Sequence, residues 1–331
     1  MHKKKLLTGL QPSGALHIGN YFGALRPFID TYEEYESLLM VVDYHALTSL
    51  KNPQELRKNT LEIVRDYLAC GIEPEKVILF KQSDVSEHTE LAWILECVVT
   101  VPFLMQAHAY KDKVAKGMEA NAGLFNYPML MAADILLYDT DVVPVGEDQR
   151  QHLEYAREAV VKFNNAFGEV FKEPKEAILP AVGVVPGVDG KKMSKSYKNT
   201  IPLFGTRDEI SKAVMSIVTD SMSREDAIKQ SQQTGMAVIR GMTAENVFRI
   251  HSLYRSENEL KSLYEANVGN YKFLKEALVE DIDRFIAPMR EKRSSISDRE
   301  VKKVLENGKE KASALASKKM EAVRKAVGVS S

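Results

Sequence analysis

Two short segments of the chain carry residues that could bind a polyphosphate. The first, Gln11-Pro12-Ser13-Gly14-Ala15-Leu16-His17-Ile18-Gly19-Asn20, lies between an apolar run and a helical pattern. A helix that begins here presents backbone N–H groups and the positive end of its dipole to an anion. His17 and Asn20 are three residues apart and face the same side, so both can donate to one group of oxygens. Gly19 lets a flat group approach the backbone. An ordinary helix start capped by Ser13 is the alternative.

The second segment, Lys191-Lys192-Met193-Ser194-Lys195-Ser196, is a polar loop with two lysines three residues apart. Lys192 and Lys195, interleaved with hydroxyl groups, can surround a polyphosphate with charge and hydrogen bonds. A solvated basic loop is the alternative. A Walker A loop is excluded, because that motif requires glycine at position 185, where the chain has Val185, and Ser or Thr at position 192. No G-x-G-x-x-G motif follows a strand, which argues against a dinucleotide-dependent dehydrogenase.

The first 200 residues alternate short apolar runs with amphipathic segments, which predicts a parallel sheet with helices on its faces. Leu6–Gly9, Leu38–Val42 and Val77–Phe80 are typical of strands. Pro53–Leu68 has helical periodicity and ends near Gly71. Ligands bind outside the carboxyl ends of parallel strands, so we expect the site to lie just after the first two strands.

The second part of the chain, from Asp208 onward, has an almost purely helical pattern. Asn246–Leu263, Tyr271–Lys292 and Asp298–Val327 repeat apolar residues at spacings of three and four. The stretch Tyr197–Arg207 contains Pro202 and Gly205 and separates the two patterns. We therefore predict two domains, residues 1–200 and residues 201–331.

Composition is that of an ordinary globular protein, with 44% hydrophobic and 27% charged residues among 331. The 45 basic and 46 acidic residues argue against a surface coated in positive charge for DNA. Residues 299–325 nevertheless hold nine basic residues against four glutamates, which fits a solvated helix face or a phosphate-binding surface. No apolar run approaches the roughly 20 residues of a membrane span. Cys70 and Cys97 are expected to be buried and unpaired, and the compartment is expected to be the cytoplasm.

A third segment, Tyr127–Tyr138, is an apolar helical pattern with one carboxylate, Asp134, among leucine, isoleucine and methionine. A charged group in such surroundings is costly unless it has a partner, which favours a binding role over that of a surface aspartate. The polar stretch Gly146-Glu147-Asp148-Gln149 follows soon afterwards.

The first two segments resemble the "HIGH" and "KMSKS" signatures of class I aminoacyl-tRNA synthetases, in the same order and about 175 residues apart. The third segment and the stretch that follows it resemble tryptophanyl-tRNA synthetases, and the similarity extends over nearly the whole chain. The resemblance implies a Rossmann-like catalytic domain that binds ATP and tryptophan, followed by an all-helical domain that binds the tRNA anticodon. It further implies L-tryptophan, ATP, Mg²⁺ and tRNA(Trp) as ligands, a homodimer, and no DNA or membrane partner.

The resemblance also assigns site residues. The implied catalytic groups are His17, Asn20, Lys192, Ser194 and Lys195. The implied ATP contacts are Gln11, Pro12, Ser13, Gly19, Asn20, Lys113, Gly146, Glu147, Asp148, Val185, Lys192, Met193, Ser194, Lys195 and Ser196. The implied tryptophan contacts are Leu7, His45, Tyr127, Met131, Asp134, Val145 and Gln149. Asp134 would accept the indole N–H, and Gln149 would hold the amino group. No side chain is expected to bind a metal directly, because the ATP phosphates would hold Mg²⁺.

These residues imply a two-step reaction, in which tryptophan is activated by ATP and then transferred to tRNA. A tyrosyl-tRNA synthetase, a regulator that binds amino acid or tRNA without charging, and a nucleotidyltransferase are the alternatives. The third segment disfavours the first, and two intact ATP signatures disfavour the second. A nucleotidyltransferase would not need the long helical part. Leu7 stands where relatives often have an aromatic residue, so the floor of the pocket is expected to differ.

Overall fold

A five-stranded parallel sheet lies in the first part of the described chain. The structure, a computed structural model, describes residues 3–115, 117, 121–144, 150–177, 184–219 and 245–330. Its strands are β1 (Lys5–Leu10), β2 (Glu36–Val41), β3 (Val77–Lys81), β4 (Val142–Pro144) and β5 (Lys175–Ala177). They pair in parallel in the order β3-β2-β1-β4-β5. The three predicted strands and the parallel α/β fold are confirmed, whereas the three-residue strands β4 and β5 were not predicted.

The strand order reverses at β1, which has β2 on one side and β4 on the other. Ligands in open parallel sheets bind at the carboxyl end of such a switch point. Residues Gln11–Gly14 leave β1 at this end, and β2 delivers the turn that contains His45 to the same end. The topology thus places the predicted binding edge where the first signature begins.

The described chain also contains helices. They are α1 (Ile18–Asn20), α2 (Arg26–Thr31), α3 (Asp43–Ala46), α4 (Pro53–Ala69), α5 (Glu87–Glu96), α6 (Val101–Leu104), α7 (His108–Ala115), α8 (Ala122–Leu136), α9 (Arg150–Phe167), α10 (Arg207–Met215), α11 (Glu245–His251), α12 (Glu257–Ala266), α13 (Tyr271–Ser295) and α14 (Asp298–Val327). A π-helical turn, Tyr21–Leu25, joins α1 to α2, and a 3₁₀ turn covers Lys195–Tyr197.

Helix α4 illustrates how local signals set an element. Asn52 caps it by accepting hydrogen bonds from the Gln54 and Glu55 amides at 3.0 and 3.1 Å, and Pro53 occupies its first position. Gly71 ends it with a φ of +108°, a conformation that glycine adopts at little cost. The predicted helix is confirmed with both ends within one residue.

The described chain divides into two compact units that are discontinuous in sequence. The first contains Met1–Gly14, Phe28–Leu179 and Ile296–Ser331, and the second contains Ala15–Pro27 and Pro180–Ser295. This division differs from the predicted boundary between residues 200 and 201. Two packing arrangements account for the difference, one at each end of the chain.

At the C-terminus, helix α14 packs against β3 within the first unit. Gly308 makes this possible, because a Cβ atom there would overlap the Leu79 carbonyl oxygen. At the N-terminus, the first signature pairs with the chain that follows the second. The Ile18 amide donates to the Ile201 carbonyl at 3.1 Å, and the Leu203 amide donates to the Leu16 carbonyl at 3.0 Å. Long-range pairing, rather than position in the sequence, therefore defines the units.

Within the second unit, α10 and α11 pack on α13. The predicted helix Asn246–Leu263 is wrong in its extent, because the chain forms α11 and α12 with a break between them. Ser256 and Glu259 make a capping box that starts α12, with the Ser256 amide donating to Glu259 at 2.9 Å. Both capping residues are visible in the sequence. They begin α12 as a helix separate from α11.

The two cysteines differ in their surroundings. Cys70 is buried as predicted, but Cys97 is exposed, because it caps the end of α5 on the side where Trp93 is 68% exposed.

In the part of the chain that the structure describes, no helix combines the length and apolar character that crossing a bilayer requires. The same described residues contain no group of three or more His, Cys, Asp or Glu side chains placed to hold a metal ion.

Candidate active site

The first signature forms a reciprocal cap at the start of α1. His17 has an extended backbone (φ −117°, ψ 164°), and its Nδ1 accepts the Asn20 amide at 3.2 Å. Asn20 Oδ1 in turn accepts the His17 amide at 3.2 Å. The cap residue is therefore His17 and not Ser13. Because Nδ1 accepts a hydrogen bond, the hydrogen of the neutral ring lies on Nε2, which leaves that atom as a donor.

The environment of His17 keeps its ring neutral. The ring is buried, and this burial together with the positive charge of Lys195 lowers the pKa of His17 to about 4. Its protonated form is thus a minor species at neutral pH. A neutral ring that donates from Nε2 suits a phosphate oxygen beside lysines, since it adds a hydrogen bond without adding repulsion.

The second signature is held as a small hairpin. The Met193 amide donates to the Val185 carbonyl at 3.1 Å, and Pro186 and Lys192 form an antiparallel bridge. Val185 and Met193 are buried, whereas Lys192 is exposed and the Ser194 hydroxyl lies 2.9 Å from that of Ser196. The hairpin therefore directs its apolar residues inward and leaves its cationic and hydroxyl groups toward the surface.

The two signatures are brought together within the second unit. His17 bridges to Pro202, and a Cβ atom at Gly19 would lie 3.2 Å from the Met193 Cβ. Gln11, Pro12 and Ser13 belong to the other unit, at the carboxyl end of β1. There the Ser13 amide donates to the Gln11 carbonyl at 2.8 Å.

A buried carboxylate occupies the centre of the first unit. Asp134 is 3% exposed on α8. Its Oδ1 accepts a hydrogen bond from Gln82 Nε2 at 2.8 Å and lies 2.7 Å from His88 Nδ1, and its Oδ2 lies 2.8 Å from His45 Nε2. Burial by itself raises the pKa of Asp134, but the close contacts of its oxygens with His45 and His88 outweigh burial and hold that pKa below its ordinary value. Asp134 is therefore an ionised hydrogen-bond acceptor at neutral pH.

Two of these neighbours of Asp134, Gln82 and His88, were missed by the sequence analysis. Gln82 follows β3 directly, so a polar residue at the end of a buried strand was the available signal. Its Oε1 accepts the Tyr44 amide at 3.1 Å, which fixes the orientation of the side-chain amide. His88 Nε2 lies 2.8 Å from the Tyr138 hydroxyl. No sequence pattern pointed to His88, because only the packing of α5 on α8 brings it to Asp134.

The remaining predicted tryptophan contacts lie in the same unit. Leu7 is buried in β1, and Met131 is half-buried on α8 one turn before Asp134. The Tyr127 ring lies edge-on to the His45 ring at 6.3 Å between centroids. Burial, with a smaller contribution from Tyr155, raises the pKa of Tyr127 to about 12, so its hydroxyl keeps its proton. Val145, Gly146, Glu147, Asp148, Gln149 and the side chain of Lys113 lie outside the described residues.

A family model described as class I tRNA synthetases for W and Y matches residues 1–287. The chain belongs to the class I tRNA synthetases of this family. The tryptophan–tRNA ligase of Fusobacterium nucleatum is 45% identical to this synthetase over 98% of both chains. That of Campylobacter jejuni strain RM1221 is 42% identical over 98% of this chain and 100% of the relative.

Solved structures agree with the sequence relatives. The tryptophanyl-tRNA synthetase of Campylobacter jejuni, complexed with ADP and tryptophan, superimposes with a TM-score of 0.86 at 40% identity, covering 98% of this synthetase and 99% of that chain. The enzyme of Mycoplasma pneumoniae gives 0.81 at 30% identity, covering 98% of each chain. The predicted assignment to the tryptophan branch of the class I synthetases is confirmed.

Proposed function

We propose that this synthetase activates L-tryptophan with ATP and transfers it to tRNA(Trp). The observation that carries this proposal is the full-length similarity to tryptophan–tRNA ligases. Two structural findings support it, the packing of Gly19 on Met193 that joins the two signatures and the buried, ionised acceptor Asp134.

For the amino-acid site, we assign Asp134 as the acceptor of the indole N–H. The carboxylate is ionised, buried and held by His45, His88 and Gln82, so its two oxygens keep a defined orientation. A polar group built to pair with a substrate N–H rejects an analogue that lacks it, by up to about 10⁴–10⁵-fold. Leu7, Tyr127, Met131 and Val145 would line the pocket, and Gln149 would hold the substrate amino group.

For the ATP site, we assign the phosphates to His17, Asn20, Lys192, Ser194 and Lys195. His17 Nε2 is the free donor of the ring, and Asn20 uses its Oδ1 in the cap, which leaves its amide N–H groups for ligand. Gln11, Pro12, Ser13, Gly19, Lys113, Gly146, Glu147, Asp148, Val185, Met193 and Ser196 are the further ATP contacts that we propose.

In the first step the tryptophan carboxylate attacks the α-phosphorus of ATP, which forms tryptophanyl-adenylate and releases pyrophosphate. In the second step a ribose hydroxyl at the 3′ end of tRNA attacks the activated carbonyl and releases AMP. Neither step needs a covalent nucleophile from the protein. Positioning of the reactants and stabilisation of negative charge on the phosphates would provide the acceleration, with Lys192, Lys195 and the neutral His17 as the donors.

The signature loop offers ammonium and hydroxyl groups, which fit phosphate oxygens and not a divalent cation. We therefore propose that Mg²⁺ is held by the phosphates of ATP and that no side chain binds it directly. When bound there it would neutralise the charge of the departing pyrophosphate.

We assign the helical part after residue 200 to tRNA binding, with catalysis in the part before it, and place the enzyme in the cytoplasm. Of the basic residues of α14, Lys319 and Arg324 pair with Asp139 and Glu90 in the first unit, and the exposed ones are assigned to a solvated face or a phosphate contact. For the homodimer, the apolar side chains of Trp93, Val101 and Met105 are 68%, 60% and 50% exposed on α5, α6 and the turn after it. Large apolar residues that are this exposed and this close in the sequence are candidates for an interface between subunits.

The decisive experiment is exchange of labelled pyrophosphate into ATP, run with tryptophan and with tyrosine. Exchange that depends on tryptophan alone supports the proposed substrate and the Asp134 pocket. Exchange with tyrosine alone would preserve the ATP site and contradict the role of Asp134. Exchange with neither amino acid, by protein shown to be folded, would contradict the proposed activity.

A further inference from the structure

Asn199 lies three residues after the second signature and is 2% exposed. Its Oδ1 accepts the Ser194 amide at 2.7 Å. Its Nδ2 donates to Asp189 Oδ1 at 2.7 Å and to the Lys192 carbonyl at 3.1 Å. One side chain thus connects three positions of the signature hairpin and uses every hydrogen-bonding group that it has except one lone pair.

The backbone of Asn199 also belongs to this arrangement, because its carbonyl accepts the Val188 amide at 3.0 Å. A Cβ atom at Gly187 would overlap the Asn199 side-chain amide, so the glycine gives the amide its space. Lys198, just before it, has a left-handed backbone (φ 54°, ψ 32°) that turns the chain back toward the hairpin. Backbone, glycine and side chain together specify an asparagine at this place.

The atoms that Asn199 holds are those that orient the proposed ATP groups. The Lys192 carbonyl and the Ser194 amide flank Met193, whose side chain is buried and whose Cβ meets Gly19. Because both neighbours of Met193 are fixed, the side chains of residues 192, 194 and 195 extend from the backbone in defined directions. The hydrogen bond from the Asn199 amide also holds the pKa of the Asp189 carboxyl below its ordinary value. The Asn199 N–H therefore donates to an ionised carboxylate.

We infer that Asn199 is a positioning residue for the activation step, acting through the backbone of Lys192 and Ser194 rather than by touching ATP. This inference rests on the proposed role of the signature lysines. A misplacement of about 1 Å in a catalytic group can cost about 100-fold in rate, so loss of this support would reduce turnover without removing any ligand contact.

The hairpin has other anchors, which should keep it folded when Asn199 is changed. The Val218 amide donates to the Val188 carbonyl at 3.0 Å, and the Arg249 guanidinium donates to the Val184 carbonyl at 3.3 Å. Asn246 of α11 packs against Gly190, where a Cβ atom would lie 2.5 Å from its Nδ2. These contacts hold the base and the turn of the hairpin, whereas Asn199 joins its interior to the chain that leaves it.

The test is Asn199→Asp, which keeps the size and the acceptor of the side chain but removes both donors. It also places a carboxylate against Asp189 and against the Lys192 carbonyl. Turnover in tryptophan-dependent pyrophosphate exchange, expressed per active site from the burst of ATP consumption, is expected to fall about 10- to 100-fold. The KM for tryptophan is expected to stay within about two-fold, since the tryptophan pocket is not altered.

A matched control is Asn164→Asp in the first unit. Asn164 joins a turn in the same way, with Oδ1 accepting the Val170 and Phe171 amides at 3.1 Å and Nδ2 donating to the Phe171 carbonyl at 2.8 Å. The Asn164→Asp variant should lower the melting temperature and leave turnover per active site within about two-fold.

A second variant tests the pairing of Asn199 with Asp189. Adding Asp189→Asn to Asn199→Asp again places a hydrogen-bond donor opposite an acceptor, and it is expected to recover at least about five-fold of the lost turnover.

Turnover of Asn199→Asp equal to that of the unmodified enzyme would overturn the inference, and so would a double variant without recovery. Lys195→Ala, measured in parallel, separates this failure from that of the proposed function. If Lys195→Ala loses turnover and Asn199→Asp does not, only the positioning role is wrong. If Lys195→Ala keeps full turnover, the assignment of the signature loop to ATP is wrong.

Discussion

Gly19 and Met193, one from each signature, are in such close contact that a larger residue at position 19 would have to displace a neighbouring group. A Cβ atom at position 19 would lie 3.2 Å from the Met193 Cβ and 2.9 Å from His17 Nδ1. The two signatures are 174 positions apart in the chain (193 minus 19). The glycine thus allows the second signature to approach His17 closely.

The first prediction concerns this contact. Gly19→Ala should displace the His17 ring or the Met193 backbone and lower turnover in pyrophosphate exchange by about 10-fold or more, with the KM for tryptophan little changed. Gly23→Ala is the control, because a Cβ atom there meets nothing within 4 Å. Equal activity of both variants would show that the contact does not matter for catalysis.

The second prediction concerns Lys195. Lys195→Ala should lower the rate of tryptophan activation far more than it weakens tryptophan binding, because a lysine that neutralises phosphate charge acts mainly in the transition state. Single-turnover formation of the adenylate and equilibrium binding of tryptophan measure the two effects separately. Comparable losses in both would count against a role in the transition state.

The third prediction concerns the protonation of His17. The positive charge of Lys195 contributes to a His17 pKa of about 4, so Lys195→Ala should raise that pKa. It should remain below 6.5, since burial is the larger cause and is unchanged. Because the folded pKa lies below the unfolded one, the free energy of unfolding should fall as pH drops from about 6.5 to about 4.

The His17 pKa can be measured by NMR of the labelled imidazole in both proteins. His17→Gln removes the titrating group, so its free energy of unfolding should fall less over the same pH interval. A His17 pKa that Lys195→Ala leaves unchanged would show that the two side chains do not interact.

The fourth prediction concerns Asp134. Asp134→Ala should reduce the preference for tryptophan over phenylalanine, measured as the ratio of kcat/KM values in pyrophosphate exchange, by at least about 100-fold. It should also destabilise the protein, because it leaves the donors of His45 and Gln82 without their acceptor.

A matched control for Asp134 exists in the second unit. Asp281 is a buried aspartate that accepts His251 Nε2 at 2.8 Å and an Arg255 N–H at 2.9 Å. Asp281→Ala should lower stability to a similar degree without changing the preference for tryptophan. An Asp134→Ala protein with unchanged selectivity would move the indole acceptor elsewhere.

The fifth prediction concerns the apolar surface of α5 and α6. Trp93→Glu should convert the proposed dimer to monomers, because it places a charge in an interface that would otherwise be apolar. Light scattering behind size exclusion measures the mass directly. Phe273→Glu is the control, because Phe273 is also an exposed aromatic but lies on α13 in the second unit. A mass unaffected by Trp93→Glu would place the interface elsewhere or exclude a dimer.

The sequence by itself determined the features that depend on neighbouring residues. Strands β1, β2 and β3, the helix α4 between its Asn52 cap and Gly71, and both signatures are local patterns in which side-chain periodicity and backbone preference agree. The family could be recognised for the same reason, since its signatures are contiguous runs of residues. The capping box at Ser256 was equally local and could have divided α11 from α12.

Only the tertiary structure decided which distant segments meet. It placed Ala15–Pro27 with the second signature, laid α14 on β3 through Gly308, and brought His88 and Gln82 to Asp134. It also left Cys97 at the surface and buried Asn199 in the hairpin. No local sequence pattern around these residues predicts which distant residue each of them contacts. Their positions follow from packing and hydrogen-bond satisfaction between residues far apart in the chain, which periodicity and capping signals do not encode.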